Sequence, residues 1–106
     1  MDNRLELHNK LCDLLGSKNC YFQPPSDILL KYPCIVYHEK DIISTRADDL
    51  IYLMQYQFSV TWITKTADID IPVKVLKAFS SCKLDQIFAS ENLMHYVFTI
   101  NIPVKE

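Results

Sequence analysis

The sequence predicts an α+β domain: a mostly antiparallel sheet of four to five strands, with an N-terminal helix and a second short helix packed on one face. Three observations lead there. Tyr52, Met54, Tyr56, Phe58, Val60 and Trp62 alternate with Leu53, Gln55, Gln57, Ser59, Thr61 and Ile63 up to Thr64, and period two is the period of a strand. Leucines in Asn3 to Leu15 recur at helical spacing instead, as in a helix lying over a core. The order helix, strands, helix, two strands is then that of an α+β fold. At 106 residues the chain has the size of a single domain, 1–106.

The first helix places Leu5, Leu7, His8, Leu11, Cys12, Leu14 and Leu15 on one broad side and Glu6, Asn9, Lys10 and Asp13 on the other. Asn3 with Glu6 fits a variant of the capping box, and Gly16, the only glycine, stands where a left-handed residue ends a helix. With one glycine, the hairpins are expected to use longer loops built on Asn, Asp, Ser and Pro. Cys20-Tyr21-Phe22 reads as a short strand, stopped by Pro24-Pro25, which remove two backbone donors and bias Gln23 to an extended conformation. Cys34 to Tyr37 reads as a buried strand behind Pro33, and Ile42 to Leu50 as a hairpin tip or loop, because Ser, Thr, Arg and two Asp interrupt it.

The long alternating strand of Tyr52 to Thr64 would span roughly 43 Å at about 3.3 Å per residue. That exceeds the usual strand, so part of it should project as an arm or bend at a bulge. Asp70 and Pro72 open a short helix through Phe79, with Ile71, Val75 and Phe79 toward the sheet and Lys74 and Lys77 toward water. Cys82 to Ala89, alternating through Leu84, Gln86 and Phe88, and Met94 to Val104, through Tyr96, Phe98, Ile100 and Ile102, close the fold around a Ser90-Glu91-Asn92 turn.

Hydrophobic residues make up 49% and charged residues 23%, an ordinary globular composition that speaks against disorder. The eleven Lys and Arg are scattered from Arg4 to Lys105 under a net charge of -2, without the clustered cationic face of a nucleic-acid binder, so no specific nucleic acid is expected. No stretch approaches the ~20 apolar residues of a membrane span, and the expected residence is a cytoplasm. Cys12, Cys20, Cys34 and Cys82 read as buried free thiols, since their spacing matches no zinc pattern.

No catalytic set is legible, and the expectation is a protein that is not an enzyme and uses no cofactor or metal. Cys34, His38 and Asp41 could be imagined as nucleophile, base and acid. On a strand, however, residues four apart stand about 13 Å apart, too far for proton transfer. His8 and His95 lack a third ligand, and Asp48-Asp49 and Asp68 with Asp70 lack the glycine and terminal Glu of a calcium loop. Tyr52, Tyr56, Phe58 and Trp62 could stack bases, but no Lys or Arg lies between Leu50 and Ile63, so they read as sheet core.

Tyr21-Phe22-Gln23-Pro24-Pro25 followed by Lys31-Tyr32-Pro33-Cys34-Ile35-Val36-Tyr37 resembles the small tail completion, or tail terminator, proteins of long-tailed bacteriophages and prophages. The likeness extends to the leucine-rich helix, the Tyr56 to Thr64 strand, Asp70-Ile71-Pro72-Val73-Lys74-Val75 and the closing aromatic strand. It implies a structural virion protein that forms a homo-oligomeric ring, commonly hexameric, and caps the head-proximal end of the tail tube. Its implied partners are its own copies, the tail tube protein and a head completion or connector protein. Its implied place is the virion neck, reached from the host bacterial cytoplasm. A head-tail connector or stopper, or a small non-viral binding module, are the alternatives.

A ring repeats one heterologous contact, so each subunit needs two complementary patches. The candidate donor is the Lys40 to Tyr52 tip: Lys40, Arg46, Asp48 and Asp49 supply charge register, while Ile42, Ile43, Leu50, Ile51 and Tyr52 supply apolar contact.

Overall fold

The computed structural model describes residues 3–25, 29–47 and 50–104; the side chains of residues 3, 45–47 and 50–53 lie outside the described set. Helix α1 (Asn3–Leu15) and strand β1 (Cys20–Phe22) lead into the long pair β2 (Cys34–Ala47) and β3 (Leu50–Thr64). Helix α2 (Asp70–Ala78) then precedes β4 (Cys82–Ser90) and β5 (Leu93–Pro103). The five strands form one sheet in the order β1-β2-β3-β5-β4. Every pair is antiparallel except β1 with β2, so the fold is the expected α+β with a mostly antiparallel sheet.

One face of the sheet carries the core. Ile35 and Tyr37 of β2, Phe58, Val60 and Trp62 of β3, and Tyr96, Phe98 and Ile100 of β5 are buried with Leu7 and Leu11 of α1 and Ile71, Val75 and Phe79 around α2. The aromatic residues meet edge to face or tilted, as their quadrupoles favour: Tyr37 lies 6.1 Å from Phe58 and 5.1 Å from Phe22 between ring centroids. Helix α1 turns a narrower stripe inward than its leucines suggest. Leu7 and Leu11 are buried, whereas Leu5 is 49% exposed, because it sits two residues from Leu7 and on the far side of the helix. Gly16 closes α1 as expected, with φ of 78° and its amide donating to Cys12 at 2.9 Å.

Four local expectations are corrected. Ile42 to Ala47 is not a loop but the outer part of β2, paired through Ile42↔Tyr56 to Ala47↔Leu50. Its polar letters suit a ribbon with water on both sides, where cross-strand pairing replaces burial as the support. Gln23 is not extended: its φ is 45°, a left-handed conformation. The turn is held because the Gln23 amide donates to Tyr37 O at 2.9 Å while its Oε1 accepts from Glu39 N at 3.3 Å, carrying the parallel pairing past the last residue of β1.

The alternation in β4 breaks between Leu84 and Gln86, where a bulge at Asp85 changes phase. Cys82 and Leu84 therefore pack on the core while Phe88 lies opposite His95 on the other face, stacked at 4.6 Å. Finally, the turn expected at Ser90-Glu91-Asn92 is there but tighter than the longer loops expected of a chain with one glycine, since Glu91 and Asn92 alone join β4 and β5, at φ of 53° and 65°. Two consecutive positive φ values are what a tight hairpin needs to match strand twist, and here no glycine supplies them.

Candidate assembly interface

The sheet does not support β2 and β3 along their whole length. On one side β1 reaches only to Phe22↔Tyr37, and on the other β5 ends at Gln55↔Pro103, with a last bond from Val104 N to Met54 O at 3.0 Å. Beyond these points the two strands continue as a ribbon to Ala47↔Leu50. Among the described residues no strand pairs with either outer edge of that ribbon, although the Glu39 amide donates to Gln23 Oε1 at 3.3 Å and the Ile42 amide to Asp41 Oδ1 at 2.8 Å. The arm contributes to the 50 Å long axis of a molecule only 27 × 22 Å across.

An isolated two-stranded ribbon is marginal in water, so its root matters. Tyr56 packs against the core, 6.4 Å from Phe58, and stands directly opposite Ile42. Ile42 is nonetheless 57% exposed on the side that carries the core, while Ile43, opposite Gln55, is half-buried on the other face. At the root, the register shift between Glu39 and Asp41 leaves Lys40 without a partner on β3. Its ammonium donates to Thr99 Oγ1 at 3.3 Å, and that hydroxyl in turn donates to Asp85 Oδ2. Lys40 is thus held across the sheet face away from the helices, not presented at a tip.

The remaining residues assigned to this interface are placed by register alone. Arg46 is opposite Ile51 and Ala47 opposite Leu50, while Tyr52 falls in the second register shift, between Thr45 and Arg46. Their side chains, and Asp48 and Asp49 altogether, lie outside the described residues. Sequence patterning missed the Thr99 and Asp85 partners of Lys40, since nothing in a one-dimensional pattern links residues so far apart. It also missed the edge along β4, which among the described residues pairs with β5 alone.

Cys34 is fully buried and burial pushes its thiol up to about 11, so it holds its proton, while His38 is exposed. Burial raises the Cys20 thiol further, with Cys12 beside it and Cys34 nearby. Among the described residues no group of three His, Cys, Asp or Glu side chains could hold a metal ion, and no helix is long and apolar enough to cross a membrane. His8 sits at the α1–sheet joint, its Nδ1 2.8 Å from the Tyr37 hydroxyl, and burial followed by the charge of Arg4 lowers its pKa. That pair is a structural contact inside the molecule.

No protein-family model matches the chain, and no match was found among curated proteins.

Proposed function

We propose that this chain is a structural assembly protein of a phage or prophage tail, which closes a ring of identical copies at the head-proximal end of the tail tube and turns over no substrate. The observation that carries the reading is the unsupported ribbon, with both edges open and Ile42 exposed along it. Open strand edges are ordinarily blunted or covered, and a second copy would cover both the edge and Ile42. The resemblance of the Tyr21 to Pro25 and Lys31 to Tyr37 segments to tail completion proteins supplies the setting.

Light scattering on the purified chain, alone and with isolated tail tubes, tests this, with electron microscopy to locate the bound end. Self-association or decoration of one tube end supports the proposal. A strict monomer at high concentration that ignores both tube ends refutes it.

A further inference from the structure

A ring joint needs an acceptor as well as a donor, and the ribbon supplies only the donor. The other long unpaired edge among the described residues runs along β4, Cys82–Ser90, the last strand of the sheet. Ile87 stands there opposite the buried Tyr96, so it lies on the side that carries the core, yet it is 48% exposed. Ile42, on the same side through its pairing with Tyr56, is exposed toward the opposite margin of the sheet.

Strand direction decides which edges can meet. β2 and β5 run one way and β3 and β4 the other, so β2 is antiparallel to β4. In a head-to-tail repeat, copies differ in orientation only by the closing rotation. Set side by side with their helices on one side, β2 of one copy meets β4 of the next antiparallel, and both exposed isoleucines fall on the same face. Two β4 edges, by contrast, meet only through a twofold turn, which closes a dimer and builds no ring. β1 covers β2 as far as Tyr37, which leaves His38 to Ala47 free, a stretch similar in length to β4. The copies are then staggered along their strands, as the strands of a closed barrel are. The Ile42 amide is held by the exposed Asp41 carboxylate at 2.8 Å, a surface bond that a partner carbonyl can replace. Both edges carry a register shift, at Lys40 and at Asp85, and Thr99 bonds to both residues, which fixes the donor edge relative to the acceptor edge within one copy.

We propose that β4 of each copy is the seat for the next copy's ribbon: the outer part of β2 adds to β4 as an antiparallel strand, with Ile42 packed on the face of Ile87. This rests on the ring reading and names its second patch. Ile42→Lys and Ile87→Lys test it by complementation in a light-scattering series, alone and with tail tubes. Each variant by itself should weaken association by more than about tenfold, because a lone ammonium is buried at every joint. Mixed one to one, the two should recover dimers and stop there, since one copy keeps its ribbon and the other keeps its seat. In the wild type, hydrogen exchange read by mass spectrometry should show residues 38–47 and 82–90 becoming protected together on association. Association that Ile87→Lys leaves unchanged, protection of the ribbon without β4, or a mixture that stays monomeric while both variants melt as folded proteins would each overturn the seat and leave the ribbon contact standing. Failure of the tail-cap reading looks different: the wild type itself stays monomeric with and without tubes, and both fall.

Discussion

Ile42→Thr isolates the apolar contribution of the ribbon, because threonine keeps the β-branched shape that a strand favours. The change removes about two methylene equivalents, worth ~1.6 kcal/mol if fully buried at ~0.8 kcal/mol each. Ile42 is 57% exposed in the single chain, so about 0.9 kcal/mol of that is still to be gained when a second copy covers it. The association constant should therefore fall about fivefold per contact. In a closed ring the loss recurs at every joint and the assembly weakens far more steeply. The part already buried against Tyr56 is worth about 0.7 kcal/mol, which lowers Tm by about 3–5 °C in a domain of this size. Light scattering across a concentration series reads the first quantity and calorimetric melting the second. Unchanged association with only the small loss of Tm would refute the ribbon as the contact surface.

Three further outcomes follow from titratable groups that the fold shields from water. The lowered pKa of His8 means the unfolded chain takes up its proton first on acidification, so stability is full above the ordinary value of 6.5 and is lost as pH falls below it. Urea midpoints at about pH 7.5 and 5 should differ in the wild type, and His8→Gln should shrink the difference; an equal slope in both would place the effect elsewhere. Burial pushes the Cys34 and Cys82 thiols up to about 11, so the folded state keeps these protons longer than the unfolded chain does. Stability should hold below about pH 9 and decline from there toward 11. Mass spectrometry after brief alkylation near pH 8 should find Cys34 unmodified until denaturant is added.

How much was legible in the sequence depended on whether one side of an element is dry. β3 was readable because Phe58, Val60 and Trp62 face the helices while Ser59 and Thr61 do not, so burial prints the period onto the residue letters. The outer part of β2 printed nothing of the kind. Ser44, Thr45 and Arg46 stand on a ribbon that no helix covers, and without a buried face a strand looks like a loop. In β4, Lys83-Leu84-Asp85-Gln86 gives no sign of which residue is the extra one, so the switch that sends Phe88 toward His95 is visible only in the pairing. The place of the Glu91-Asn92 turn was legible, but its tightness was hidden for a different reason. Glycine is the usual carrier of positive φ, and here the Ser90↔Leu93 pairing imposes it on two ordinary residues.

The same pairing explains how the ribbon could be specific instead of merely adhesive. A flat open edge pairs with any other, but this one carries register shifts at Glu39/Asp41 and at Thr45/Arg46, one at its root and one near its end. Each shift adds local right-handed twist and leaves one residue out of the ladder. A partner strand must then match the twist as well as the hydrogen bonds, which a chance neighbour does not. The root shift also sets Lys40 aside from the ladder, and its bond to Thr99, with Thr99 bonded to Asp85, ties the bulge to β5 and β4. Loss of Lys40 would therefore loosen the angle of the arm without touching its apolar surface. A contact that depends on that angle and one that depends only on Ile42 can thus be separated by comparing Lys40→Ala with Ile42→Thr in the same assembly measurement.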